Sequence, residues 1–120
     1  MTLKSGRVLR FIHAPYLHAP GAIITYDEKS KILFSGDIFG AYDKPEEWNL
    51  YASPEYSSRL NVFMEFHMPS KEIVTHTLKK LDEMDIEMIA PQHGSIIRPK
   101  SEIKKHIEIL KTLNYGSYMK

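Results

Sequence analysis

Two histidines and one aspartate in this 120-residue sequence stand where an apolar run meets glycine or proline. His18 lies just before a Pro-Gly pair, Asp37 lies between two glycines, and His93 is followed directly by Gly94. Loops that leave the ends of strands are where binding side chains are concentrated. Imidazole nitrogens together with a carboxylate are suitable ligands for iron or zinc. These three residues are therefore the candidate metal ligands.

Each candidate, taken alone, also has an interpretation in which it binds no metal. Ser-Gly-Asp is ordinary turn chemistry, so Asp37 by itself is typical of an Asx turn. His93 alone is equally well explained as a loop histidine bonded to the backbone, and His18 as a turn histidine. An acidic group inside an apolar stretch is nevertheless costly unless it is paired or bound to metal. The order and the contexts of the three residues together favour a site.

The composition excludes several other classes of protein. The chain length allows a single domain, and a hydrophobic content of 42% indicates a packed core. A formal net charge of +1 provides no field that would attract nucleic acid or anionic lipid. The absence of Cys excludes disulfides, thiolate-bound zinc and a Cys nucleophile. No apolar run approaches a membrane span and the N-terminus is charged too early for a signal peptide, so a cytoplasmic protein is expected.

The elements that would position the candidate ligands are strands first and helices afterwards. Runs rich in β-branched and aromatic residues predict strands within 7–36, including an antiparallel hairpin over 22–35. Helical periodicity predicts two helices within 54–85, and a short apolar run predicts a strand at 86–90. A last helix is predicted over 101–114.

Three serines are predicted to cap these helices, namely Ser53, Ser70 and Ser101. Residues 40–52 lack a clear period and are interpreted as a surface loop. Residues 1–120 are accordingly predicted to form one α/β (α+β) domain.

The order of these motifs resembles a known fold. The segments that carry the resemblance are His18-Ala19-Pro20-Gly21, Leu33-Phe34-Ser35-Gly36-Asp37 and Ile89-Ala90-Pro91-Gln92-His93-Gly94. They resemble the C-terminal half of the αββα metallo-β-lactamase sandwich, and most closely the diiron domain of flavodiiron proteins and related oxygen-binding diiron proteins.

The resemblance implies a role for each candidate ligand. His18 corresponds to a terminal ligand of one metal, Asp37 to the carboxylate that bridges both metals, and His93 to a terminal ligand of the second metal. It implies two iron ions as cofactors, which would bind O2 or nitric oxide between them, and it implies no protein nucleophile.

The family takes its other ligands from a His-x-Glu-x-Asp-His motif that lies well upstream of the position of His18. This sequence has no such motif, and only a short segment precedes His18. Two protein ligands per metal fall short of a closed site, so the chain alone is expected to bind metal poorly. A separate N-terminal half chain, or self-association, is expected to complete the protein. Because nothing after Gly116 resembles a flavodoxin, no flavin is expected in this chain and the electron donor would be external.

Two other classes remain open. Similar motifs occur in zinc-dependent hydrolases of the same fold, and the chain could also be a non-catalytic assembly subunit or a remnant. A half fold should leave a sheet face uncovered, and Ile23, Leu33 and Ile89 are expected on that face, which predicts an oligomer.

The other histidines match no family motif. His67 and His106 lie within helical patterns and are interpreted as packed or surface residues, and His76 is interpreted as lying on a solvated face. His13 is unassigned.

Overall fold

The computed structural model describes residues 1–117 and places strands before helices, with one strand between the second and third helices. The elements are β1 Leu9–His13, β2 Ile23–Asp27, β3 Ile32–Gly36, α1 Tyr56–His67, α2 Lys71–Asp82, β4 Met88–Pro91 and α3 Lys100–Leu110. This α+β arrangement confirms the predicted fold class.

The four strands form one sheet in the order β1-β2-β3-β4. The pairs β1–β2 and β2–β3 are antiparallel, which confirms the predicted hairpin, and β3–β4 is parallel. The hairpin turn is fixed by Asp27, whose carboxylate accepts hydrogen bonds from the Ser30 hydroxyl at 2.8 Å and the Lys29 amide at 3.1 Å. The chain then passes through α1 and α2 before it returns as β4.

The core lies between one face of the sheet and the helices. Leu33 and Ile89 are fully buried on that face, so the expectation that they face solvent is wrong. Successive side chains of a strand point to opposite faces of the sheet. The residues on the other face of the sheet are therefore the ones exposed to solvent. Phe11, Ile23 and Phe34 are 53%, 58% and 48% exposed. We call the sheet surface formed by these three residues the open face. Of the three residues named from the sequence, only Ile23 lies on this face.

One of the three predicted caps is present. Ser70 precedes α2 and its hydroxyl accepts a 3.2 Å hydrogen bond from the Ile73 amide. The prediction is wrong for Ser53, because α1 begins only at Tyr56 and it is the Ser53 carbonyl that accepts the Tyr56 amide. It is also wrong for Ser101, which already lies inside α3.

The third helix ends at Leu110, before the predicted end at 114. The following segment folds back instead, and the Tyr115 hydroxyl donates to the Leu110 carbonyl. The Gly116 amide donates to the Met68 carbonyl at 2.9 Å, which holds this segment against the end of α1. No helix in the described part of the chain has both the length and the apolar character needed to cross a membrane.

Candidate metal centre

The three candidate ligands lie at one edge of the sheet. Asp37 follows β3 directly and His93 comes two residues after β4. Because β3 and β4 are parallel neighbours, their carboxyl ends meet at the same edge. His18 lies in the connection between β1 and β2, and β1 runs in the same direction as β3 because each is antiparallel to β2. The strand order therefore brings together residues that are far apart in sequence.

The Asp37 carboxylate lies between the two histidines. Its Oδ2 accepts a hydrogen bond from His18 Nδ1 at 3.0 Å, and its Oδ1 lies 3.7 Å from His93 Nε2. Each carboxylate oxygen thus faces a different imidazole. The Asp37 side chain is about one quarter exposed and both histidines are about half exposed, so the group is open to solvent on one side.

Asp37 is held by a tight backbone turn. Gly36 adopts a positive φ of 63°, which turns the chain out of β3 at the residue before Asp37. The buried Ser35 hydroxyl donates a 2.7 Å hydrogen bond to the Ile38 carbonyl, and Ile38 and Phe39 are fully buried beneath the turn. The carboxylate consequently points away from the core towards His18.

The loop that carries His93 is fixed through its backbone. The Ala41 amide donates to the His93 carbonyl at 3.1 Å, and the Trp48 indole N–H donates to the Gly94 carbonyl at 3.0 Å. The Gln92 amide donates to the Gly36 carbonyl at 2.8 Å, which ties this loop to the turn before Asp37. The imidazole of His93 remains free to face the carboxylate.

A fourth histidine lies beside this group and was not assigned to it from the sequence. His67 is the last residue of α1, and its ring centroid lies 5.6 Å from that of His18. Burial lowers the pKa of His67, the neighbouring His18 and His93 lower it further, and Asp37 raises it. His67 packs against Phe63, as the helical pattern predicted, but its nearness to Asp37 depends on how α1 crosses the sheet edge. The exposed His76 and the buried His106 lie where their patterns predicted.

Aromatic side chains form one wall of the site. Tyr42 packs against Phe63, His67 and His93 with ring centroids 4.8, 5.4 and 5.5 Å away. An open groove of about 380 Å³ lies alongside and is lined by Tyr42, Ser58, Arg59, Val62, Phe63, Phe66 and His67. Arg59 does not place an unpaired positive charge in this groove, because its guanidinium forms a 2.6 Å ion pair with Asp43. The groove is predominantly apolar, and His67 is the histidine that lines it.

The three candidate ligands are of types that suit a transition metal, and they form two pairs that share Asp37. Neighbouring ligand atoms around a cation bound at about 2.0–2.2 Å lie about 3.0–3.5 Å apart. The distance from Asp37 to His18 lies in this range and the distance to His93 is slightly longer. Within residues 1–117, no group of three or more His, Asp or Glu side chains is placed so that it could hold a metal ion by itself. This chain therefore offers at most two candidate ligands to each of two cations, with Asp37 common to both pairs.

The fold and the strand-end residues define this chain as a metallo-β-lactamase-like part of the flavodiiron type. Residues 1–94 match the family model described as ODP family beta lactamase. The chain belongs to this family.

Two relatives whose names describe flavodiiron-type proteins agree with this family assignment. Flavo-diiron protein FprA2 of Clostridium acetobutylicum is 30% identical over 101 residues, which cover 81% of this chain and 25% of FprA2. Anaerobic nitric oxide reductase flavorubredoxin of Klebsiella pneumoniae is 29% identical over 121 residues, which cover 90% of this chain and 24% of the relative. The chain therefore spans about a quarter of these curated relatives.

A solved structure of the chemotaxis sensor ODP, described as its peroxy diiron species, superposes on the chain with a TM-score of 0.88 at 30% identity. The match covers 99% of this chain and 51% of the sensor chain. The described fold thus corresponds to about half of the sensor structure.

Proposed function

We propose that this chain contributes one half of a dinuclear iron site that binds or reduces oxygen or nitric oxide. The observation that carries the proposal is the placement of Asp37, whose two carboxylate oxygens face two different histidines. A carboxylate that bridges two cations needs one oxygen for each, and its charge offsets part of the charge of both. In this proposal His18 is a ligand of one iron and His93 of the other.

The remaining ligands come from a first half of the fold that carries the His-x-Glu-x-Asp-His motif. The open face supports this arrangement, because Phe11, Ile23 and Phe34 form an apolar surface on the side of the sheet opposite the helices. In a two-sheet sandwich such a surface packs against the other sheet. A second copy of the chain could cover the same surface but would not supply the motif.

The chain's own residues perform four tasks at this site. Asp37 and the two histidines orient the cations, and the turn after Gly36 together with the Gly94 loop keeps these side chains at one edge of the sheet. The aromatic wall around Tyr42 shields one side, and the adjoining groove provides a path for a small apolar ligand. The iron pair, when bound, supplies coordination positions and electrons for O2 or nitric oxide, and an external donor replaces the electrons.

The descriptions of the relatives support iron rather than zinc. FprA2 and the ODP sensor structure are described as diiron proteins, and flavorubredoxin is described as a nitric oxide reductase. None of these descriptions supports the zinc hydrolase alternative. A non-catalytic assembly subunit is separated from the proposal by the metal content of the complete assembly.

Co-expression with a first half that carries the motif tests the proposal. The assembly is purified through a tag on this chain, and its metals are measured by mass spectrometry. We expect about two irons per assembly, fewer after His18→Ala or His93→Ala, and no change after His76→Ala, which alters an exposed histidine on α2. Zinc in place of iron would favour a hydrolase, and an assembly without metal would favour a non-catalytic subunit.

A further inference from the structure

A second polar pocket, of about 250 Å³, lies where α1 and α3 begin. None of its lining residues belongs to the candidate metal centre or to the groove beside it. We call it the α1–α3 pocket. Its polar lining consists of Ser53, Ser57, Arg98, Glu102, Lys105 and His106. The lining therefore carries two positive charges and one negative charge.

The two cationic side chains of this pocket have no acidic partner. Neither Arg98 nor Lys105 forms an ion pair within residues 1–117. The Arg98 guanidinium lies over the Tyr51 ring, 3.5 Å from its centroid, which holds its position without neutralising its charge. The first turn of α1 has no side-chain cap, and Ser57 of that turn lines the same pocket. Unpaired cations beside an uncapped helix N-terminus favour an anion.

His106 adds a buried ring nitrogen that has no partner. The residue is only 6% exposed, and its Nδ1 lies 2.7 Å from the carbonyl oxygen of Glu102, one turn earlier in α3. Because a carbonyl oxygen can only accept, Nδ1 carries a proton, and Nε2 of the neutral ring is then an acceptor. Nε2 points away from the α3 backbone and has no hydrogen bond in the described part of the chain. A buried acceptor of this kind requires a donor.

We propose that the α1–α3 pocket binds one inorganic phosphate ion in a form that carries a proton. Arg98, Lys105 and the first turn of α1 offset the charge of the ion. A P–OH group of the ion donates to Nε2 of His106 and supplies the missing donor.

The Glu102 carboxylate makes the pocket selective. It accepts a hydrogen bond from a second P–OH group where the ion has one, and it repels an anion that carries no proton. Phosphate keeps at least one proton at neutral pH, whereas sulfate keeps none. The two ions have similar size and shape, so the acceptors of this pocket should distinguish them by the proton alone.

Calorimetric titration of the purified chain with sodium phosphate and with sodium sulfate, at neutral pH and equal ionic strength, tests this inference. We expect one phosphate per chain, bound at least about 10-fold more tightly than sulfate, because sulfate leaves the buried acceptor unpaired. Methyl phosphate should bind as weakly as sulfate, since the second pKa of a phosphate ester is about 6 and most of it carries no proton at this pH.

Lys105→Gln should weaken phosphate binding about 10-fold, because it removes a charge-assisted hydrogen bond. Lys104→Gln is the matched control: it removes the same charge from the same helix, but Lys104 is exposed and does not line this pocket. His106→Phe keeps a buried ring and removes the acceptor, so phosphate should then bind no better than sulfate.

Three results would overturn the proposal. They are the absence of saturable phosphate binding at millimolar concentrations, equal affinities for phosphate and sulfate, and equal losses in the Lys104 and Lys105 variants. If circular dichroism shows that His106→Phe is unfolded, Glu102→Gln replaces it, because this side chain is only partly buried and its backbone carbonyl is unchanged. The preference for phosphate should then decrease, and an unchanged preference would contradict the selective role of the acceptors. None of these results bears on the proposed dinuclear site, whose residues do not line this pocket.

Discussion

Gly94 lies directly against the hydroxyl group of Tyr56. A Cβ atom at position 94 would collide with that oxygen and would lie 3.0 Å from the Ala41 amide nitrogen, and the φ of Gly94 is +108°. Tyr56 is fully buried and donates a 2.7 Å hydrogen bond to the Phe39 carbonyl. Burial raises the pKa of this hydroxyl, so it remains a donor at neutral pH. The contact fixes the loop that carries His93 against the first turn of α1.

Gly94→Ala is expected to lower the free energy of unfolding by about 1–3 kcal/mol, because it adds both backbone strain and a steric collision. Urea unfolding followed by circular dichroism measures this change. Gly21→Ala is the matched control: no atom lies within 4 Å of the added Cβ, and the effect should stay within about 0.5 kcal/mol. In a double-mutant cycle with Tyr56→Phe, which removes the colliding oxygen, the combined loss should be smaller than the sum. Strict additivity would show that the Tyr56 contact does not constrain the loop.

Asp37→Asn is expected to reduce the iron content of the completed assembly more than either His18→Ala or His93→Ala. The amide keeps the shape of the side chain but removes the negative charge and one acceptor oxygen, and the carboxylate faces both histidines. Iron measured per assembly should fall to below about one for the Asp37 variant, while each histidine variant keeps about one. Retention of one iron by the Asp37 variant would argue against a bridging role.

The open face is expected to drive association of the isolated chain. Burying a phenylalanine side chain contributes about 1.5–3 kcal/mol, so Phe34→Ser should weaken self-association, or association with the first half, by about one to two orders of magnitude. Light scattering over a concentration series measures the dissociation constant. Val62→Ser is the control, since Val62 is 68% exposed and lies on α1 rather than on a strand of the open face. A stable, folded monomer at micromolar concentration would contradict the interpretation of this surface as an interface.

Asp85 connects the sheet with α3 and should make stability depend on acid pH. Its carboxylate forms ion pairs with Lys100 and, at 2.6 Å, with Lys31. Hydrogen bonds from these two lysines lower the pKa of Asp85 to about 2 from an ordinary value of 3.8. Because the pKa is lower in the folded state, the contribution is fully present above about pH 4 and is lost as the pH falls towards 2.

Asp85→Asn should therefore reduce stability at pH 7 and have a much smaller effect at about pH 2, as measured by urea unfolding at both pH values. Glu87→Gln serves as the comparison, because the Glu87 carboxylate is 4.0 Å from Lys100 and should contribute less. An equal effect of Asp85→Asn at both pH values would exclude the ion pairs as its cause.

The sequence by itself determined the order of the elements and the places of the three candidate ligands. Strand-forming runs, glycines and prolines are local signals, and Asp37 and His93 lie just beyond such runs. The cap at Ser70 was also predictable, because its hydroxyl needs only an amide three residues further on. Ser53 and Ser101 carried the same signal, but the start of each helix is set by how the helix packs, not by the serine.

Only the tertiary structure decided which apolar residues of the sheet are covered and that His67 reaches the site. Leu33 and Phe34 are adjacent and both apolar, so composition cannot tell which of them faces the helices; the register of the sheet places Leu33 inside and Phe34 outside. His67 follows the same helical spacing as the buried Phe63, and its position beside His18 depends on the crossing of α1 over the sheet edge. Long-range packing of this kind brings together residues that are distant in the sequence. Local patterns predict the helix and the strands but not how they are placed relative to each other.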